Sequence, residues 1–119
     1  MRARLMSLVV IGASTVVTAL AVPTAASAAR ACSGTVQAKG SLSGGLGWEV
    51  TARQIRATGL GCASARRRVK RLAVARAGHG ARPKGWRLRS TRRSTTGFPR
   101  VTYQRGRQRV TFTYSYAEG

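Results

Sequence analysis

The stretch GCASARRRVKRLAVARAGHG, residues 61–80, carries five basic side chains in six consecutive positions. Drawn as a helix, it places its apolar side chains within one arc of roughly 100°. Those side chains are Cys62, Ala65, Val69, Leu72 and Ala73. Gly61 is a suitable N-cap, and Gly78 is typical of the residue that ends a helix. The sequence therefore predicts one amphipathic helix over residues 62–77, with one face in a core and a basic face outside.

An alternating pattern before the helix predicts a strand. Apolar and polar residues alternate from Trp48 to Arg53, which is the period of a half-buried strand. The alternation resumes at Ile55 one position out of phase, so we expect a β-bulge near Gln54. The preceding residues, 29–47, predict a short strand and a loop rich in glycine and serine.

Two further strand regions follow the helix. Trp86 and Leu88 alternate with arginines and predict a short strand, and STRRSTTGFP, residues 90–99, predicts a polar, basic loop. Residues 101–116 alternate on either side of a turn at 105–106, which is typical of a β-hairpin with one aromatic and β-branched face. The expected fold class is α+β: one amphipathic helix packed on a small antiparallel sheet of three to five strands.

Residues 1–28 are predicted to be a cleaved signal peptide. Two arginines precede the mainly apolar run 5–22, and Ala26-Ser27-Ala28 offers small side chains at the positions that a signal peptidase reads. Two alternatives stay open. An uncleaved anchor is one, since about 18 residues can just span a bilayer, and a lipoprotein processed at Cys32 is the other.

The part of the chain after the signal peptide, residues 29–119, is expected to fold as one unit. Its basic α+β domain is placed at residues 48–119, after the N-terminal strand and the glycine-rich loop. Because the chain is predicted to be exported, we expect it to be secreted or associated with the cell wall.

This mature part is strongly basic. It contains 20 of the 22 lysines and arginines but only Glu49 and Glu118 as acids, which gives a net charge of about +18. Arginine supplies 19 of the 22 basic residues, a bias that GC-rich coding can produce. GC-rich coding does not remove acidic residues, however, and the chain contains no Asp at all. We interpret the excess charge as functional, with a purely solubilising role as the alternative.

Aliphatic residues are few for a folded domain of this size. Leu, Ile, Val and Phe number fourteen in 91 positions, below the roughly 20% level at which high net charge usually accompanies disorder. Tryptophan and tyrosine supply additional apolar area, on the order of 150–250 Å² each. Cys32 and Cys62 form an even pair in an exported chain, which predicts a disulfide. Closing that loop is worth roughly 3–4 kcal/mol in the chain-entropy model.

The titratable residues favour binding over catalysis. His79 lies between two glycines and is interpreted as an exposed loop residue, and Glu49 as the partner of a nearby arginine. No Asp is available to orient a catalytic histidine, and the remaining groups do not make up an ordinary metal site. GSLSGGLG, residues 40–47, lacks the Lys-Ser/Thr ending of a phosphate-binding loop. We therefore expect no enzymatic activity, no cofactor and no metal.

Basic side chains must lie outside, because the core takes the apolar side of each element. The predicted contacts to a polyanion are Arg66, Arg67, Lys70, Arg71, Arg105 and Arg107. Such contacts carry no sequence information and weaken as salt rises. The expected partner is an anionic polymer of the envelope or the medium, or an anionic lipid surface, and sequence-specific nucleic-acid recognition is not expected. Trp86 and Tyr103 are assigned to the core, and the protein is expected to be monomeric.

An exported effector is the second hypothesis. It could be a membrane-active antagonist, or it could inhibit a secreted enzyme. An inhibitor should present a rigid exposed loop, for which STTGFPR, residues 94–100, is the candidate.

Three motifs follow one another over residues 55–112: IRATGLGCASARRRVKRL, GWRLRS and TYQRGRQRVTF. In this order they resemble a group of small exported actinobacterial proteins of uncharacterised function. Those proteins show a Cys before an Ala/Arg-rich helix, a Gly-Trp/Phe-x-Cys strand and a Cys-x-x-Gly hairpin that ends in Val-x-Phe. Leu88 and Tyr103 stand where that group has cysteines, so the resemblance implies an apolar pair in place of a second disulfide. It also implies the fold and export, but no activity.

Overall fold

The computed structural model describes residues 28–119, so the predicted signal peptide lies outside the described residues except for Ala28. The described part contains six strands and one helix. In chain order they are β1 (Arg30–Cys32), β2 (Val36–Ser41), β3 (Gly47–Thr58), α1 (Cys62–Arg76), β4 (Arg87–Arg93), β5 (Pro99–Arg105) and β6 (Gln108–Glu118).

All the strands belong to one antiparallel sheet, in the order β1-β3-β6-β5-β4, with β2 also paired to β3. β1 and β2 share one edge of β3, because β1 pairs with residues 55–57 and β2 pairs with residues 47–52. β5 and β6 form the predicted hairpin. Gly106 is the first residue of the two-residue loop that joins these strands, and its φ is 59°. The favoured two-residue hairpin turns need a positive φ at that position.

The predicted β-bulge is present in β3. The pairing of β3 with β6 shifts between Arg53 and Arg56, and Gln54 has a φ of 54°, which is uncommon for a residue other than glycine. One extra residue reverses the alternation of side chains. Ala52 and Ile55 consequently both point into the core, where each is at most 1% exposed.

Helix α1 lies across one face of the sheet, mainly over β3. It begins after Gly61, as predicted, and ends at Arg76 with Ala77 as its C-cap. Its buried side chains are Ala65, Val69, Leu72 and Ala73. We call the side of the sheet that α1 covers the helix face and the other side the open face.

The core forms one continuous cluster between α1 and the helix face. Trp86, Phe112, Ile55 and Leu72 are among its largest fully buried side chains, and Tyr103 is 3% exposed. The assignment of Trp86 and Tyr103 to packing is confirmed. Aromatic side chains thus supply the apolar area that the aliphatic residues lack.

The predicted Cys32–Cys62 disulfide is formed, with a Cα–Cα distance of 5.5 Å. It joins the end of β1 to the first residue of α1. Beside it, Arg66 donates from Nε and Nη2 to the carbonyl oxygen of Ser33, at 3.2 and 3.0 Å. The disulfide is consistent with an oxidising, extracellular location.

Two expectations about the strands need correction. The sheet has six strands and not three to five, because the weak pattern of residues 29–47 contains both β1 and β2. The loop predicted over residues 90–99 is confined to 94–98, since β4 continues to Arg93 and β5 begins at Pro99. β4 is an edge strand with almost every side chain exposed, so it lacks the apolar alternation by which a strand is recognised. Within residues 28–119, no helix is long and apolar enough to cross a membrane.

Candidate functional site

Helix α1 carries its basic side chains on the arc opposite its buried face. At about 100° per residue, Arg66 and Arg68 lie roughly 160° apart around the helix axis, so they occupy the two flanks of that arc. Lys70, Arg67 and Arg71 lie between them, with neighbouring positions no more than about 60° apart. The basic run in the sequence therefore forms one continuous surface with two flanks.

The flank with Arg68 lies against Trp86 and the hairpin turn. The guanidinium carbon of Arg68 is 5.8 Å from the Trp86 ring centroid, and that of Arg105 is 5.4 Å from it. Both distances lie within the range of about 6 Å for a cation–π contact. We call this group the helix–hairpin cluster, and its members are Arg67, Arg68, Arg71 and Arg105.

Like charges dominate the environment of this cluster. Burial lowers the pKa of Arg68, and repulsion from Arg105, Arg71 and Arg67 lowers it further. An arginine keeps its charge at neutral pH in spite of such a shift. Since every charged neighbour that shifts this pKa is itself positive, an external anion would relieve the repulsion.

The six predicted polyanion contacts do not form one site. Arg67, Arg71 and Arg105 belong to the helix–hairpin cluster. Arg66 bonds to the Ser33 carbonyl on the other flank. Lys70 lies between the two flanks and lines one cavity together with Arg71, and Arg107 is exposed at the hairpin turn.

Arg68 was not among the predicted contacts. It borders the apolar arc on the helical wheel, which was a usable signal, but its partner Trp86 is 18 positions away in the sequence.

The open face carries further arginines that the sequence prediction did not single out. Cross-strand pairing aligns one row across four strands, and a second row runs beside it. The first row contains Arg53, Thr113, Arg100 and Arg92. The second contains Arg56, Thr111, Thr102 and Ser90. The sequence did contain a signal for this row, because these residues alternate with the core residues of their strands and must therefore point to the opposite face.

Arg100 is the most enclosed of the open-face arginines in these rows. Its Nη1 atom donates to the carbonyl oxygen of Gln54 and to Thr113 Oγ1, both at 3.1 Å. Thr113 in turn donates to Gln54 Oε1 at 2.9 Å and is only 1% exposed. Burial lowers the pKa of Arg100, and repulsion from Arg56 adds to the effect.

The loop proposed for an inhibitor is shorter than its motif. Ser94 N donates to the Phe98 carbonyl and Gly97 N to the Ser94 carbonyl, both at 3.0 Å. Phe98 is 43% exposed. Pro99 and Arg100 belong to β5, so the exposed segment is residues 94–98 only.

His79 is not the exposed loop residue that the sequence suggested. It is half-buried and stacks on Trp48, with 4.4 Å between the ring centroids and an interplanar angle of 5°. Its Nε2 lies 2.5 Å from the Tyr116 hydroxyl, which donates to Glu118 Oε2 at 2.6 Å. We call Trp48, His79, Tyr116 and Glu118 the aromatic clasp, because it joins the segment after α1 to the end of the sheet.

Both acidic residues lie at this end of the sheet. In the register of the strands, Glu49 lies opposite Lys39 across β2 and β3, and Glu118 lies opposite Trp48 across β6 and β3. Within residues 28–119, no three His, Cys, Asp or Glu side chains are close enough to hold a metal ion. The acids are therefore separated from the helix–hairpin cluster, which lies at the turn where β6 begins.

No family model, curated protein or solved structure matches this chain. The resemblance to small exported actinobacterial proteins accordingly stays a prediction.

Proposed function

We propose that this chain is a secreted protein that binds anionic envelope or extracellular polymers without catalysing a reaction, and that the helix–hairpin cluster is its main contact. Export and the mature N-terminus are part of this proposal. The disulfide supports export because such bonds persist in oxidising compartments.

One observation carries the proposal: Arg68 and Arg105 come from different elements and both lie over the buried Trp86 ring. The ring is fixed in the core, so it restricts two long side chains that would otherwise be mobile. Restricting them before binding lowers the entropy cost of contact with a ligand. The helix–hairpin cluster is thus preorganised for binding an anion.

The surrounding charge favours a polymer over a single small anion as the ligand of the cluster. Exposed arginines continue along β4, so the positive potential extends beyond the four members. A chain of regularly spaced negative groups can neutralise several of these charges and release several counterions. Phosphodiester and sulfated polymers both have this character.

The test compares two double variants with the same loss of charge. Arg68→Gln with Arg105→Gln removes the two cations over Trp86, and Arg92→Gln with Arg93→Gln is the matched control on β4. Binding to a short duplex DNA and retention on heparin are measured as functions of salt. The cluster variant should lose roughly two units from the slope of log K against log salt, about one for each lost phosphate contact.

The control variant should lose less than half as much slope. Equal losses in the two variants would show that only net charge matters, and that outcome would overturn the assignment of the cluster. Circular dichroism and an intact disulfide show whether each variant is folded.

An inhibitor is the second candidate, and the loop at residues 94–98 favours it. That loop is closed by two backbone hydrogen bonds and exposes Phe98, as a rigid recognition loop would. Phe98→Ala should then abolish inhibition of a secreted protease while leaving heparin retention unchanged. A membrane-active effector would instead release dye from anionic vesicles.

A further inference from the structure

A cavity of about 450 Å³ opens where the β3 bulge meets the end of β1. Ser33, Gln54, Arg56 and Arg100 are among its lining residues. We call it the bulge pocket. Its volume falls in the range of about 300–1,000 Å³ that is typical of small-molecule sites. It opens on the open face, whereas the helix–hairpin cluster lies on the helix face.

Two guanidinium groups are the charged groups of this pocket. Among the residues that the structure describes, Arg56 and Arg100 are the only charged ones that line it, and no carboxylate does. The two groups repel each other, as the lowered pKa of Arg100 reflects after the larger effect of burial. The pocket therefore holds two positive charges that an anion would compensate.

Arg100 is positioned so that part of its guanidinium stays available. Both of its hydrogen bonds to described residues use Nη1. A guanidinium has five N–H donors, about three of which belong to Nη2 and Nε. An oxyanion can accept two parallel hydrogen bonds from such an edge, the arrangement in which arginine binds phosphate most strongly.

The rim of the pocket is fixed before any ligand binds. Gln54 has a φ of 54°, and its carbonyl and side-chain oxygens accept hydrogen bonds from Arg100 and Thr113. On the opposite rim, Ser33 accepts two hydrogen bonds from Arg66 and follows the disulfide-bonded Cys32. A non-glycine residue in this conformation costs free energy and is often found at ligand sites.

We propose that the bulge pocket binds the terminal phosphate of a phosphomonoester. Two guanidinium charges match a dianionic phosphate better than a carboxylate or a phosphodiester, each of which carries one charge. The cavity also leaves room for the group that the phosphate esterifies. This site is independent of polymer binding by the helix–hairpin cluster.

The test titrates the disulfide-bonded protein with inorganic phosphate, methyl phosphate and dimethyl phosphate at pH 7.5. Amide NMR shifts report the location, and calorimetry reports the affinity. Inorganic phosphate and methyl phosphate should bind one to one and shift the amides of Ser33, Gln54 and Ile55. Dimethyl phosphate, a monoanionic diester, should bind at least about tenfold more weakly, since it has lost one charge-assisted contact.

Variants separate the pocket from the rest of the basic surface. Arg56→Gln and Arg100→Lys should each weaken methyl phosphate binding about tenfold or more, the latter because lysine lacks the planar fork. Arg93→Gln, which removes one charge from an exposed β4 position, should leave the affinity within about twofold. Arg56 is exposed, so its variant tests the proposal even if a change at Arg100 disturbs the fold.

Three results would overturn the proposal: no saturable binding, equal affinity for dimethyl phosphate, or shifts centred on the helix–hairpin cluster. Arg68→Gln with Arg105→Gln should keep the methyl phosphate affinity while losing heparin retention. Binding of methyl phosphate therefore tests the bulge pocket, and binding of heparin tests the helix–hairpin cluster, so the two proposals can fail separately.

Discussion

Gly40 and Trp48 share one cross-strand position that has room for only one side chain. They are direct partners in β2 and β3, and the Trp48 indole lies over Gly40. A Cβ atom on Gly40 would come within 2.4 Å of Trp48 Cζ2. The same indole stacks on His79, so the small residue at position 40 positions the whole aromatic clasp.

Gly40→Ala should therefore displace the Trp48 ring. We expect a loss of about 1–3 kcal/mol in the free energy of unfolding, the usual cost of an overpacked site. Urea unfolding followed by tryptophan fluorescence measures it. Gly47→Ala is the control, since its Cβ would lie 3.7 Å from the Gly40 carbonyl oxygen, an ordinary van der Waals contact. Equal stability of the two variants would show that Trp48 moves aside freely.

Tyr116 makes the clasp sensitive to alkaline pH. Partial burial and the hydrogen bond to Glu118 raise the pKa of Tyr116 from 10.0 to about 12. The fold therefore favours the neutral phenol. This contribution to stability is complete below the unfolded pKa near 10 and is lost as the pH rises towards 12.

Tyr116→Phe should flatten the decline of stability between pH 10 and pH 12. It should also remove the last phase of tyrosine ionisation from an absorbance titration. The pKa of Tyr103 is also raised, mainly by burial. Its ionisation should therefore still cause part of the decline in the stability of the variant. Loss of ionisation near pH 10 in place of the last phase would mean that Tyr116 ionises like a free tyrosine.

At the scale of elements, the sequence predicted those elements that combine a periodic pattern with a clear end signal. Helix α1 satisfies both, with its apolar arc and with Gly61 and Gly78, and its observed bounds differ from the prediction by one residue. The bulge at Gln54 was predicted from a single change of phase. Residues 29–47 were predicted to contain one short strand, whereas both β1 and β2 lie there, and the second half of β4 was predicted to be a loop. These strands bury few side chains, so their sequences show no clear alternation.

The candidate site was less predictable than the fold. The sequence showed a run of arginines, but only the structure shows which residues lie beside each flank of α1. Contacts between Arg68, Trp86 and Arg105 depend on how three elements pack together. The bulge pocket likewise joins β1, β3 and β5, which no local pattern connects.

Leu88 and Tyr103 provide a prediction about neighbouring strands. They are direct partners across β4 and β5, which is the relation that two cysteines in a cross-strand disulfide would have. Leu88→Cys with Tyr103→Cys should therefore form a second disulfide on oxidative refolding. Mass spectrometry after alkylation without reductant should find no free thiol, and peptide mapping should show the bonds 88–103 and 32–62.

A mixture of other pairings would contradict the expected geometry of β4 and β5. Leu88→Cys alone is the control, and it should leave one thiol that reacts.

For the whole molecule, the Cys32–Cys62 bond is the largest single stabilising feature that we expect. It closes a loop with a sequence separation of 30 residues and ties α1 to the edge of the sheet. Cys32→Ala with Cys62→Ala should lower the free energy of unfolding by roughly 3–4 kcal/mol. Urea unfolding measures the change, and the reduced natural protein should show nearly the same loss. An unchanged urea midpoint in both the variant and the reduced protein would show that the aromatic core stabilises the fold without the disulfide.

The exposed rim of β4 has a consequence for self-association. An open edge strand can pair with the same strand of another copy and start a growing assembly. If two β4 strands met antiparallel about Ser90, Arg87 of each would stand opposite Arg93 of the other, and Leu88 opposite Arg92. Repulsion between these cations would keep copies apart in dilute buffer, whereas concentrated salt would remove that protection. The conditions that release a bound polymer are thus the ones in which fibrils should be sought.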